Sequence, residues 1–89
     1  MRKLKKKNIK KDTFSYSIKL ADFYYKGSAQ MVIDRIVLET SIRNYKIIEL
    51  SKTKYRVLIG PFNDIKEIKN SFDKMKSLNF ENLEILKNV

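Results

Sequence analysis

Cysteine and histidine are absent from this chain, and glycine and proline nearly so, at 2 and 1 residues. Without thiol or imidazole there is no Cys nucleophile, no Ser-His-Asp triad and no thiolate or imidazole metal site. Those absences exclude most routes to catalysis, so we expect no enzyme, no cofactor and no metal ion. Lack of Cys also removes any disulfide argument about compartment, since it suits cytoplasm and periplasm alike. No apolar run of roughly 7–15 residues follows the basic N-terminus, so neither a signal peptide nor a membrane span is legible. With so few turn formers, the dipeptide Gly60-Pro61 becomes the strongest turn signal in the molecule.

What is present is charge and a modest apolar content. The 89 residues carry a net charge of +10 and are 43 % hydrophobic, which suits one small domain with a single core. A charge of this size invites nucleic acid or an anionic surface as partner. It is unevenly spread, however. Residues 1–13 hold seven basic groups (Arg2, Lys3, Lys5, Lys6, Lys7, Lys10 and Lys11) against Asp12, leaving +4 for the other 76 residues. A run of like charge without apolar period reads as a basic linker or disordered tail. The folded part is expected over 14–89.

Hydrophobic periodicity then divides the chain. Phe14, Tyr16, Ile18 and Leu20 alternate with Ser15, Ser17 and Lys19, the pattern of a half-buried strand. Ala21-Asp22 is expected to turn the chain and Phe23 to return it to the core. Ser28 is placed to cap a helix whose stripe is Ala29, Val32, Ile33 and Ile36, with Asn44 as its terminator. Met31, Val37, Leu38 and Ile42 widen the apolar surface and predict cover on more than one side. Tyr45–Leu50 reads as a strand of ambiguous register, and Ser51–Lys54 as a polar hairpin connection. Tyr55, Val57 and Ile59 alternate with Arg56 and Leu58 until Gly60-Pro61 is expected to stop the strand. Asp64 and Glu67 have capping-box spacing ahead of the stripe Ile65, Ile68, Phe72, Met75 and Leu78. Residues 83–89 close the chain as a short strand with Leu83 and Ile85 on one face.

The order is β-α-β-β-α-β, and an internal repeat supports it. Adding 39 to Tyr16, Ile18, Leu20, Phe23, Ala29, Ile33 and Ile36 lands on Tyr55, Val57, Ile59, Phe62, Ile68, Phe72 and Met75, all apolar or aromatic. Two βαβ halves so related predict an α+β, ferredoxin-like, four-stranded antiparallel sheet. Right-handed crossovers place both helices on one face and leave the other open.

On that open face the parity puts Ser15, Ser17, Lys19, Lys54, Arg56 and Leu58, with Glu84 and Leu86 from the last strand. Hydroxyl, ammonium and guanidinium donors on a flat platform suit an extended polar ligand. RNA-recognition modules share the strand order but stack bases on outward aromatics of the central strands. Here Phe14, Tyr16 and Tyr55 have inward parity, which makes a basic nucleic-acid module the second reading. Asp22 and Asp64 read as turn and cap residues rather than as an acid–base pair.

Tyr55-Arg-Val-Leu-Ile-Gly-Pro-Phe62 before a helix resembles the second-half signature of SPOR (sporulation-related repeat) domains. Tyr16-Ser-Ile-Lys-Leu-Ala-Asp-Phe23 followed by Ala29 resembles the first half, with Lys19, Ala21 and Asp22 where Gln, Gly and Ser are usual. The similarity spans roughly residues 14–88. It implies a non-catalytic module of a bacterial envelope or division protein that binds septal peptidoglycan strands stripped of stem peptides. Carried over by position, the binding set is Lys19, Asp22 and a matching Arg56, with Lys54 where an aromatic is frequent and Glu84 where an apolar residue can lie. With the open-face reading, the expected glycan site is Ser17, Lys19, Asp22, Lys54, Arg56, Leu58 and Glu84. Leu58 is expected to pack on a sugar face while the polar groups bond hydroxyls and N-acetyl carbonyls. The resemblance further implies a monomeric periplasmic segment of a larger exported protein, meeting the membrane only through an anchor elsewhere in that protein.

Overall fold

The computed structural model describes residues 14–87. Six elements follow in order: β1 (Tyr16–Phe23), α1 (Lys26–Glu39), β2 (Tyr45–Ser51), β3 (Lys54–Phe62), α2 (Ile65–Ser77) and β4 (Glu84–Lys87). The strands make one antiparallel sheet in the order β2-β3-β1-β4, the ferredoxin-like α+β arrangement that the repeat predicts. The expected tail over 1–13 and the last two residues of the closing strand lie outside the described residues.

The repeat becomes a pairing. Tyr16 of β1 lies opposite Phe62 of β3, and Phe23 opposite Tyr55, so equivalent positions of the two halves exchange partners across the sheet centre. Ile18, Val57 and Ile59 share one core with Ala29, Ile33 and Ile36 of α1 and Ile68 and Met75 of α2. Both helices therefore cover the same face. All fourteen residues related by the offset belong to that core or pack against it. β2 contributes Ile47, opposite Val57, while Lys46 and Ile48 fall opposite Leu58 and Arg56 on the far face, which settles its register.

Several local expectations are corrected. α1 begins at Lys26 behind an extended Tyr25, so Ser28 is a first-turn residue and not the cap. β1 runs on to Phe23, which leaves two residues for the connection. α1 ends at Glu39 because Thr40 closes it. The Thr40 Oγ1 hydroxyl donates to Ile36 O at 2.7 Å and accepts from Ile42 N at 3.0 Å. Asn44, four residues later, instead donates from Nδ2 to Pro61 O at 2.8 Å. Of the residues expected to widen its apolar surface, Val37 and Ile42 pack against the core, while Met31 and Leu38 are exposed and have no cover among the described residues.

α2 starts as expected, with the Asp64 carboxylate accepting from Lys66 N at 2.7 Å. Its apolar stripe begins at Ile68, since Ile65 is exposed. It finishes on Asn79 in the left-handed region (φ 73°), with Phe80 N donating to Met75 O and Asn79 N to Lys76 O. Those two bonds satisfy carbonyls that a helix end would otherwise orphan.

Gly60-Pro61 does not stop β3, and Ala21-Asp22 does not turn β1. Each central strand absorbs one extra residue as a bulge and continues. On β3 the slip lies between the partners of Tyr16 and Ile18, where Gly60 takes φ +123° and donates to Asn44 O at 2.8 Å. On β1 it lies between Lys19 and Ala21, and it decides which way Asp22 faces.

Candidate functional site

Strict alternation from Lys19 would turn Ala21 toward the open face and Asp22 toward the helices. The β1 bulge reverses this: Ala21 pairs with core residue Val57, and Asp22 pairs with Arg56. Lys19, Asp22 and Arg56 thus share the face that is helix-free among the described residues, joined there by Glu84, the partner of Lys19 on β4.

The side chains form one ionic cluster. Arg56 donates from Nε to Asp22 Oδ1 at 2.8 Å and from Nη2 to Oδ2 at 3.0 Å, a bidentate fork. Lys19 Nζ stands 3.8 Å and Lys54 Nζ 4.0 Å from Asp22 Oδ2. Lys19 also donates to Glu84 Oε1 at 3.3 Å. The hydrogen bonds from Arg56 hold the Asp22 carboxyl below its ordinary value, with the charges of Arg56, Lys19 and Lys54 acting the same way against a smaller opposing effect of burial. The same bonds raise Arg56. The side chains of Asp22 and Arg56 keep 20 % and 26 % of their surface, so both remain reachable from solvent.

Five of the seven expected site residues are therefore brought together: Lys19, Asp22, Lys54, Arg56 and Glu84. Ser17 and Leu58 are not available with them. Their parity is as expected, but they are 0 % and 5 % exposed. Ser17 sits against the β3 bulge, where an added Cβ on Gly60 would come within 2.8 Å of its Oγ. Leu58 lies between Lys46 and Lys19 on the two neighbouring strands, whose aliphatic stems can shield it. The contact expected between Leu58 and a sugar face is corrected accordingly.

Other features of this end of the sheet escaped the sequence reading. Lys46 and Ile48 add the β2 edge of the open face, hidden earlier by the ambiguity of Ile47-Ile48. Tyr24 and Tyr25 follow β1 with their rings 4.8 Å apart at 80°, and both are exposed. A tyrosine pair between a strand end and a helix start was itself the missed signal. β4 pairs with Tyr16–Lys19, so among the described residues the outer edge of β1 beyond Lys19 has no strand beside it. A cleft of about 460 Å³ opens there, lined by residues 19–22 and by 79–82 of the α2–β4 connection.

Such a surface can exchange hydrogen bonds with a neutral polar chain. The carboxylates accept from hydroxyls, while the ammonium groups and the unused guanidinium N–H groups donate to hydroxyl and amide oxygens. Among the described residues, no cluster of His, Cys, Asp and Glu converges as a metal site, and no helix is long and apolar enough to cross a membrane. The chain matches no protein-family model, no curated protein and no solved structure.

Proposed function

We propose that this module binds peptidoglycan glycan strands stripped of their stem peptides, without catalysis, on the open face of its sheet. The carrying observation is the joined set Lys19, Asp22, Lys54, Arg56 and Glu84 on a helix-free antiparallel sheet. Glycan strands are extended and dense in hydroxyl and acetamido groups, so they match a surface that alternates acceptors with donors. The exposed Tyr24–Tyr25 pair adds amphipathic ring surface at the end of the same sheet, of the kind on which a sugar face packs. Stem peptides would hold a strand away from a flat platform, which is why bare strands fit better. The likeness of Tyr55–Phe62 to the SPOR signature points the same way. Tyr16 and Tyr55 pack against the core, which leaves the central strands without rings for base stacking.

Retention on intact sacculi and on amidase-treated sacculi is the deciding comparison. We expect stronger retention after amidase treatment; equal retention, or none on either, rejects the proposal. Arg56→Ala should weaken retention by about 1–3 kcal/mol, the worth of a hydrogen bond to a charged group. Because Asp22 loses its partner in that variant, the assay belongs well below the melting midpoints of both proteins.

A further inference from the structure

We infer that Asp22 is a built-in stand-in for an anionic ligand, and that it determines specificity by keeping phosphate polymers off the open face of this basic chain. The inference rests on the geometry around Asp22 and sharpens the glycan reading by stating which ligands the face refuses.

Three cations, Lys19, Lys54 and Arg56, converge on the open face in a protein of net charge +10. Left alone, a guanidinium flanked by two ammonium groups is a ready site for phosphate or carboxylate, which it grips through two parallel N–H bonds. The Asp22 carboxylate already occupies that grip. It accepts from Nε and Nη2 of Arg56 at 2.8 and 3.0 Å and lies 4.0 Å from Lys54 Nζ. Lys19 is shared between Asp22 at 3.8 Å and Glu84 at 3.3 Å. Each cation of the cluster therefore faces an internal carboxylate.

An incoming phosphate must either displace Asp22, which then remains as a like charge beside it, or settle for the outer N–H groups next to that same charge. Repulsion built in this way discriminates between partners alongside any added attraction. Sugar hydroxyl and acetamido groups meet no such penalty, because they bond the carboxylates as well as the cations, and the lactyl carboxylate that amidase leaves on each disaccharide need not enter the fork. The arrangement belongs to the backbone, since the bulge between Lys19 and Ala21 is what brings Asp22 opposite Arg56.

The test is a titration of the full ¹⁵N-labelled chain with inorganic pyrophosphate at about physiological ionic strength, following the Arg56 Nε–H resonance. In the wild type we expect no saturable shift of that resonance. Asp22→Ser opens the fork and should give saturable binding at least about tenfold tighter, as a freed bidentate contact implies. Asp22→Asn preserves side-chain size and should gain in the same direction. Asp73→Asn makes the same change in net charge on α2, where Asp73 pairs with Lys69, and should behave as wild type. Adding Arg56→Ala to Asp22→Ser should abolish the gain.

Saturable binding at Arg56 in the wild type overturns the inference, whether or not the variants fold. So does an equal gain in Asp73→Asn, or no gain in a folded Asp22 variant. Sacculus retention by the wild type is scored separately: its loss alongside the pyrophosphate pattern above rejects only the glycan reading.

Discussion

Asp22 is ionised at neutral pH with a pKa below its ordinary value near 3.8, and the sign of its effect on stability follows. A group depressed on folding contributes stability that is present above its unfolded value and is lost as pH falls through its folded value. Melting temperature followed downward from pH 6 should thus fall more steeply in the wild type than in Asp22→Asn, the two curves converging below about pH 4. Near neutral pH the variant should be less stable by about 1–2 kcal/mol, because a bidentate but partly exposed pair is lost. Parallel curves would show that Asp22 carries no folding-linked proton. Gly60 is the other residue whose identity the fold demands. Its φ of +123° and the 2.8 Å approach of Ser17 Oγ to an added Cβ both oppose a side chain. Gly60→Ala should cost about 1–3 kcal/mol in denaturant melts. Neither demand is local: the Gly60-Pro61 dipeptide reads equally well as a strand stop and as a bulge.

At the scale of elements, the helices are joined by a contact that periodicity does not reveal. Arg35, off the apolar stripe of α1, donates from Nη2 to Leu78 O at 2.7 Å and lies 5.4 Å from the Phe80 ring centroid. A cation at the carboxyl end of a helix is favourable for both the free carbonyl and the macrodipole. Arg35→Ala should lower stability by about 1–2 kcal/mol, and Arg35→Lys should recover only part, since an ammonium lacks the planar fork. Equal melting in all three proteins would reduce this contact to a surface ornament. The same end of α2 turns on Asn79 at φ 73°, where Asn79→Gly should be tolerated and Asn79→Val should not. Strands and helices were legible from period and caps. Asp64 was a true cap because its carboxylate has a backbone N–H within reach two residues on. Ser28 was not, because strand pairing carried β1 as far as Phe23 and brought the helix start forward.

For the whole molecule, charge and topology act in different places. Seven of the basic groups fall in residues 1–13, while Lys19, Lys54 and Arg56 on the open face answer to carboxylates of their own. Replacing Lys5, Lys6 and Lys7 with Gln should therefore weaken any salt-sensitive binding to a polyanion and flatten its dependence on salt. Glycan retention should persist. If polyanion binding survives that change but is lost in Arg56→Ala, the open face is cationic in effect and the role given to Asp22 fails.

The 39-residue repeat determined by itself that two βαβ halves would face each other through Tyr16–Phe23 and Tyr55–Phe62. Hydrophobic period is written in the residues that need burial, and burial is most of what a fold must satisfy. It also placed Lys19, Lys54, Arg56 and Glu84 on the helix-free side. Asp22 was expected with them only from the resemblance, and the tertiary structure decided that its parity brings it there and that Ser17 and Leu58 are withdrawn. A bulge changes parity without changing composition, and burial depends on what neighbouring strands lay across a position. Both are set by register, which no single strand carries alone.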